Sequence, residues 1–396
     1  MKEFLANNNF KVYPDIGHKG GIESLAQQWA KKYVQNLQID NCDESDTETN
    51  NSLNLKDVVS QTGRQKTAEN LIQSLGSVSA KAWNKTEALL SAELKRHRID
   101  PKLINRREIA GDAFKIYQKA FDVYTHQVEF RPLSLVIKLA EEGNPLYEQA
   151  LLVYTEQVAP SQLATTIGAD IGAIRKKYTR LDPRVIGFVS MQFHYTSQML
   201  LEPLSPIERS LVGAYFKVID DHLYMPLQRT YEAAAKHDYH SAALEAIQQL
   251  LPASTQIAKK ICQRVIEIYP TYRFYTVRLS DAAVKISTIR DIEMFQVYLW
   301  VCTLEESIAA IQQELFPLCV MLYPTLKVQW ELIRQMLHLL GQEIGVRLNP
   351  KQADTVMPYF QVLWHMFSPE VFGELGLERK SNTVDEGTEL WESLFG

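Results

Sequence analysis

Apolar residues along this chain recur mainly at intervals of three, four and seven positions. That spacing places them on one face of an α-helix, whereas the alternation typical of a half-buried strand is nearly absent. Glycine is also sparse, with 17 residues in 396. The pattern predicts an all-α protein, built as an irregular array of α-hairpins without the strict period of a regular solenoid.

The same pattern divides the chain into five segments. Helical periodicity is clear before and after residues 39–54, but that stretch is polar, acidic and almost devoid of apolar residues. The conformational entropy lost on ordering it would cost more free energy than the burial of its few apolar residues could supply. We therefore predict an N-terminal segment with one helix, a mobile acidic linker, two helical domains and a disordered acidic tail, over residues 1–38, 39–54, 55–200, 201–372 and 373–396.

Prolines indicate where individual helices begin and end. The residue before a proline resists the α conformation, so each of ten prolines is an expected boundary: Pro101, Pro132, Pro145, Pro160, Pro183, Pro206, Pro252, Pro270, Pro324 and Pro350. Ser205, Pro206 and Glu208 predict a capping box with the proline at the first helical position. Pro226 is expected to lie inside the helix that begins after Ser205 and to kink it.

Composition and charge narrow the class of protein. The formal net charge of −5 and a pI near 6.0 do not fit a protein that coats nucleic acid with its whole surface. The four cysteines lie far apart, which indicates reduced thiols. No secretory signal is recognised, and no apolar run approaches the roughly 20 residues of a membrane helix. We expect a cytoplasmic protein without a transmembrane segment.

The stretch YFKVIDDHLYMPLQRTYEAAAKHDYH, residues 215–240, is the most site-like in the chain. At about 100° per residue, His222 lies on the apolar stripe of its helix, whereas Asp220 and Asp221 point to other sides. One ion cannot bind all three from one straight helix, so no metal site is predicted. We expect His222 to be packed, Asp220 and Asp221 to face solvent, and Lys217 to pair with Asp221 at the surface.

Residues 233–247 predict a helical hairpin, with Asp238 and Ser241 as candidate N-caps of its second helix. The junction resembles those of tetratricopeptide-type hairpins, in which Tyr and Ala pack inward after a small acidic turn. His237 then lies near a helix C-terminus, where a protonated imidazole is favoured.

Standard catalytic signatures are absent. The chain contains no G-x-S-x-G, no H-E-x-x-H and no Gly-rich phosphate loop. We predict no catalytic residue, no metal and no cofactor, and favour a protein that is not an enzyme. A metal- or cofactor-binding enzyme around His222, with His237 or His194 as further candidates, stays as the second alternative.

Two basic segments stand out against the acidic total, LKRHRIDPKLINRR at 94–107 and IRKKYTRLDPR at 174–184. Such clusters can contact phosphates, an anionic membrane surface or an acidic protein. Neither contains a recognisable module that reads bases. The candidate contacts with an anionic partner are Lys95, Arg96, Arg98, Arg106, Arg107, Arg175, Lys176, Lys177, Arg180 and Arg184.

The stretch TVDEGTELWESLFG, at 383–396, combines acidic residues with an apolar helical edge. The edge is too short to be stable as an isolated helix. It either packs on this protein or inserts into a groove on a partner, with its aromatic residues as anchors. We predict that it binds a partner through Leu390, Trp391, Leu394 and Phe395.

Residues 190–370 are similar to a family of helical proteins from cyanobacteria. The likeness lies in YFKVIDDHLYMPLQRTYEAAAKHDY and in RDIEMFQVYLWVCTLEESIAAIQQELFPLCVMLYPTLKVQWELIRQMLHLLGQEI. It implies at most a cytosolic role in a photosynthetic cell, and it assigns no activity and no site residue.

These observations lead to one main functional prediction. We expect an adaptor, assembly factor or regulator that binds protein partners through helical hairpin surfaces and its acidic–aromatic C-terminal peptide. The first alternative is a nucleic-acid-associated regulator that uses the basic segments 94–107 and 174–184. The sequence carries no signal for an oligomeric state.

Overall fold

The structure is a computed structural model that describes residues 24–35, 57–58, 60–126, 160–274 and 277–374. Within them the chain is almost entirely helical, and the prediction of an all-α fold is confirmed. One short antiparallel ladder is the exception, with β1 at Arg273–Phe274 and β2 at Val277–Arg278. The predicted acidic linker and the tail beyond residue 374 lie outside the described residues.

In chain order, the described helices are α1 (Leu25–Gln35), α2 (Gln61–Arg96), α3 (Arg106–His126), α4 (Pro160–Thr179), α5 (Val185–Leu201), α6 (Pro206–Tyr224), α7 (Leu227–Ala234), α8 (Ala242–Ile268), α9 (Ala282–Glu305), α10 (Phe316–Thr325), α11 (Trp330–Gly345), α12 (Pro350–Met366) and α13 (Pro369–Glu374). A 3-10 turn, Pro101–Leu103, joins α2 to α3, and a π-helical segment, Ala310–Leu315, precedes α10.

Helix starts follow the chemistry of the sequence. The predicted capping box at α6 is present: the Ser205 side chain accepts from the Glu208 amide, and the Glu208 carboxylate accepts from the Ser205 amide at 3.1 Å. The two helices predicted over residues 233–247 are present as α7 and α8, but α7 packs mainly against α9 and α4 and hardly against α8, so they do not form the predicted hairpin. Ser241, and not Asp238, caps α8, by accepting from the Leu244 amide at 3.2 Å.

Pro226 ends a helix instead of kinking one, which corrects the prediction. Met225 has extended backbone angles, φ −108° and ψ 146°, and α7 begins at Leu227. The residue before a proline avoids the α conformation, and Met225 follows that preference.

Two predicted helix boundaries are wrong, because Pro252 lies inside α8 and Pro324 lies in the last turn of α10. A proline inside a helix forfeits a backbone hydrogen bond. For α8, packing against α9, α11 and α12 offsets that loss. The boundary is confirmed at Pro101, Pro183, Pro206, Pro270 and Pro350, while Pro132, Pro145 and the residue before Pro160 lie outside the described residues.

The core forms where the helices cross. The long helix α2 packs along α5, α8 packs along α9, and α1 is held between α4, α7 and α8. Buried residues on both sides of the predicted domain boundary at 200/201 belong to one hydrophobic cluster. That boundary itself stays a prediction. None of the described helices is both long enough and apolar enough to cross a membrane.

Candidate functional site

The two basic segments lie together at one end of the helical array. The first contains the junction between α2 and α3, and the second contains the junction between α4 and α5. Arg184 donates to the His97 carbonyl at 2.8 Å, and the Lys177 ammonium lies 2.7 Å from the Glu108 carboxylate. These two contacts fix the segments side by side, although about 80 residues separate them in sequence.

Arg175 does not belong to the surface of this end, and its prediction as a contact with an anionic partner is wrong. It is 6% exposed and donates to the Leu223 carbonyl, to the Tyr298 hydroxyl at 2.9 Å and to the Glu314 carboxylate at 3.3 Å. Arg175 lies on the buried face of α4, which packs against α6 and α7. Its guanidinium therefore joins helices and cannot reach a partner.

Three further predicted contacts are engaged within the protein. Arg96 binds Glu93 at 2.8 Å, Arg184 binds Asp182 at 2.7 Å, and Lys177 binds Glu108 and Asp112. Partial burial would lower the pKa of Lys177, but hydrogen bonds to the two carboxylates outweigh it and raise the pKa. These cations stabilise the two helix junctions more than they offer charge to a partner.

Six of the ten predicted contacts are left, and Lys102 of the first segment joins them, so the surface has seven exposed cations; we call it the basic end. None of their side chains makes a hydrogen bond or an ion pair within the described part of the chain. Leu181, with 70% of its surface exposed, lies among them. The seven cations are Lys95, Arg98, Lys102, Arg106, Arg107, Lys176 and Arg180.

The acidic residues of this end do not cancel its charge. Residues 93–112 and 175–184 hold eleven Lys and Arg residues and five Asp and Glu residues. Most of the acids are already paired: Glu93 is buried against Arg96 and His97, and Asp182 is paired with Arg184. A protein of net charge −5 therefore carries one strongly positive surface.

His222 is packed in the core, as predicted. It is 2% exposed, and its Nδ1 lies 2.9 Å from the Val218 carbonyl, so Nδ1 carries the proton and donates. Its Nε2 is buried and has no hydrogen-bond partner among the described residues. Burial disfavours the charged ring and lowers the pKa of His222 to about 4.

Asp221 does not face solvent, which corrects the prediction. It is 1% exposed, and its two carboxylate oxygens lie 3.0 and 2.9 Å from the Lys217 ammonium. Beside this pair lies a second one, in which Lys32 of α1 contacts Glu293 of α9 at 3.0 Å. The side of α6 opposite to its apolar stripe is thus covered by polar residues of other helices.

Neither Lys32 nor Glu293 was singled out from the sequence. The signal that could have found Lys32 is its helical spacing from Trp29, 1% exposed, and Tyr33, 6% exposed, which places all three on one buried face of α1. The ammonium lies 3.5 Å from the centroid of the Trp29 ring. No such local signal marks Glu293.

The other candidate histidines have structural partners. His237 Nε2 donates to the Leu304 carbonyl at 2.6 Å, at the last turn of α9. His194 Nδ1 lies 3.4 Å from the Asp220 carboxylate. Among the residues that the structure describes, no group of three or more His, Cys, Asp or Glu side chains is arranged to hold a metal ion.

The buried His222 predicts a pH dependence of stability. Its pKa is about 4 in the folded protein and roughly 6.5 in the unfolded chain, so the unfolded state binds more protons between these values. Stability from this group is complete above the unfolded pKa and falls as the pH drops, by about 2 kcal/mol between pH 7 and pH 5. Urea denaturation at both pH values is expected to show this loss in the wild type and its absence in His222→Gln.

The matched control is His240→Gln, because the side chain of His240 is 83% exposed. We expect the control to keep the wild-type pH dependence. If the free energy of unfolding changed equally with pH in the wild type and in His222→Gln, the His222 ring would be protonated, or accessible to water, in the folded protein.

Comparison of the chain with protein-family models, with curated proteins and with solved structures finds no match. The resemblance to helical cyanobacterial proteins therefore stays a prediction, as does partner binding by Leu390, Trp391, Leu394 and Phe395, which lie outside the described residues.

Proposed function

We propose that the protein is a non-enzymatic adaptor, assembly factor or regulator that docks acidic proteins on its basic end. One observation carries the proposal: seven exposed cations without a partner among the described residues lie together at one end of an acidic protein. Unpaired charge of one sign attracts the opposite charge over several ångströms and orients the encounter.

The backbone at Arg98 supports a role for this surface. Arg98 has a φ of 52°, the left-handed conformation in which glycine usually stands after a helix. That conformation costs a non-glycine residue roughly 1 kcal/mol. The position therefore presents a cation at some expense in stability.

A protein partner suits the basic end better than nucleic acid. Acidic side chains are interspersed among the cations, and Glu108, 48% exposed and paired with Lys177, interrupts the run of positive charge that a phosphate backbone would contact continuously. Leu181, in contrast, offers an exposed apolar anchor between charged neighbours, as the centres of protein interfaces do. The acidic–aromatic C-terminal peptide belongs to the same proposal as a second contact with partners.

The test compares two labelled probes by fluorescence anisotropy: an acidic peptide rich in Glu and Leu, and a duplex DNA of similar length. A basic-end variant combines Lys95→Gln, Arg98→Gly, Arg106→Gln and Arg107→Gln. Exposed ion pairs contribute roughly 0.5 kcal/mol each, so losing four is expected to weaken peptide binding about 30-fold. Arg98→Gly removes charge while relieving the backbone.

The matched control removes the same charge elsewhere, with Lys81, Lys236, Lys285 and Lys351, all exposed, replaced by Gln. It is expected to bind the peptide as the wild type does. Leu181→Ser should weaken binding of the peptide but not of DNA. Tight DNA binding with a steep decrease in affinity as salt rises, and weaker peptide binding at the same salt, would favour the nucleic-acid alternative.

A further inference from the structure

The last described helix, α13, lies against the first residue of α10. The Phe372 ring of α13 packs against the Phe316 ring of α10, with the two centroids 5.7 Å apart, and against the Trp330 ring, with the centroids 4.4 Å apart. The Phe372 side chain is fully buried by these contacts. The described part of the chain therefore ends, at Glu374, beside the N-terminal end of α10.

The helix α10 also lies against the start of α5, next to the basic end. A Cβ atom added at Gly187 of α5 would lie 2.7 Å from Met321 Cε and 3.2 Å from Leu318 Cδ1 of α10. The Gly187 amide donates to the carbonyl of Arg184 at 3.0 Å, and Arg184 is the residue that joins the two basic segments. Along this path of contacts, the backbone of Phe372 lies at most about 35 Å from that of Arg184.

The chain beyond Glu374 is long enough to cover that distance. Residues 375–389 separate Glu374 from the apolar anchors Leu390 and Trp391. A stretch of this length can extend over about 50 Å. A tether of that kind keeps its end near the basic end at a local concentration of roughly 1 mM. Even a weak contact between the two would therefore be made for most of the time.

The composition of the C-terminal peptide, residues 383–396, complements the basic end. The seven cations of the basic end have no partner among the described residues, and Leu181 lies among them with 70% of its surface exposed. The peptide offers Leu390 and Trp391 as apolar contacts for Leu181, with carboxylates on both sides to meet the cations. It has no basic side chain, and its acidic residues are Asp385, Glu386, Glu389 and Glu392.

The other acidic segment of the chain, residues 39–54, fits the basic end less well. It precedes α2, a helix of 36 residues, and the basic end lies at the far end of that helix. The start of α2 at Gln61 is therefore about 50 Å from Lys95. The segment also contains no aromatic residue that could pack on Leu181. Position and composition both favour the C-terminal peptide.

We propose that the C-terminal peptide of this chain binds the basic end in cis, so that an acidic partner has to displace it. Such regulation rests on the proposed function, since it acts on the same surface. Leu390 and Trp391 pack on Leu181, and the carboxylates of the peptide neutralise part of the surrounding positive charge. A partner that takes the basic end releases the peptide, which is then available for a second contact with that partner.

Carbodiimide cross-linking of the full chain, with mass spectrometry of the monomer, detects the cis contact directly. This reagent joins a carboxylate to an amine without a spacer, so only groups in contact react. We expect cross-links from Glu389 or Glu392 to a lysine of the basic end, and none to Lys66, which is exposed near the start of α2. High salt should lower their yield, because it screens exposed charges. The lysines of the basic end are Lys95, Lys102 and Lys176.

A variant of the full chain measures the competition. Glu389→Gln, Trp391→Ser and Glu392→Gln together remove an anchor and two carboxylates from the C-terminal peptide. The labelled Glu- and Leu-rich peptide should then bind about tenfold more tightly than it binds the wild type, because the competitor in cis is weakened. The matched control, Asp46→Asn with Glu48→Gln, removes two carboxylates from residues 39–54 and should bind the labelled peptide as the wild type does.

Two outcomes would overturn the proposal. One is that the triple variant binds the labelled peptide no more tightly than the wild type does, which would leave the basic end open in the free protein. The other is that the cross-links to the basic end occur only in covalent dimers, which would mean that the C-terminal peptide binds a second copy of the chain. If the labelled peptide binds neither protein, the proposed function fails, and the cross-links in the monomer alone decide the cis contact.

Discussion

Replacing Lys32 with methionine is expected to lower the free energy of unfolding by about 3–5 kcal/mol. The side chains of Lys32 and Glu293 are only 6% and 5% exposed, and removing one charge leaves the other without its partner. Burial alone would raise the pKa of Glu293, but Lys32 and Lys217 outweigh it and hold the pKa below its usual value. Urea denaturation of Lys32→Met at pH 7 measures the loss.

Two further variants test whether the loss of stability comes from leaving a buried charge without its partner. Lys119→Met breaks an ion pair whose side chains are 50% and 42% exposed, so it should change stability by less than about 1 kcal/mol. The double variant Lys32→Met/Glu293→Leu removes both buried charges and should recover much of the lost stability. If Lys32→Met is no worse than Lys119→Met, then Glu293 is protonated or hydrated when Lys32 is absent.

Replacing Arg175 with methionine is expected to lower the free energy of unfolding by about 3–5 kcal/mol, and Lys176→Met to change it by less than about 0.5 kcal/mol. Arg175 joins α4 to α6, α9 and the π-helical segment through Leu223, Tyr298 and Glu314. Lys176, the next residue, is exposed and has no partner within the described chain. Thermal and urea denaturation of both variants measure the difference.

The same pair of variants separates stability from binding. At a temperature where both are folded, Lys176→Met should weaken acidic-peptide binding, and Arg175→Met should leave it unchanged. The reverse pattern would mean that Arg175 leaves its buried position and reaches the partner, contrary to the contacts it makes in the structure.

The prediction for Lys32 concerns how a short helix is fixed in place. The eleven-residue helix α1 is too short to be stable alone. Its Trp29 ring packs edge-to-face against the ring of Trp300, with the two centroids 6.1 Å apart, and its Lys32 binds Glu293. Both contacts reach α9, so a change at Lys32 acts on the attachment of α1 to the rest of the protein.

The fold class was predictable from local patterns because helix formation depends on neighbours within one or two turns. The spacing of apolar residues, the Ser205 capping box and the N-cap at Ser241 are all local, and each is confirmed. The errors at Pro252 and Pro226 also have local origins. A proline favours a boundary, but whether the helix continues depends on the packing on either side.

The candidate sites were predictable only in part. The basic segments were visible as clusters of Lys and Arg, but their proximity depends on contacts such as that of Arg184 with the His97 carbonyl, across 87 residues. The two neighbours Arg175 and Lys176 look equivalent in sequence. The rotation of α4 about its axis buries the first and exposes the second, and that rotation is set by packing against α6 and α7.

The sequence by itself determined that this protein is helical, where most of its helices begin, that His222 is packed, and that two segments carry excess positive charge. Each of these follows from interactions between residues close in the chain. Only the tertiary structure decided that Asp221 is buried, that Lys32 and Glu293 form an interior ion pair, and that the basic segments share one surface. These depend on which helix covers which face, a choice made by contacts between residues as far apart as Lys32 and Glu293.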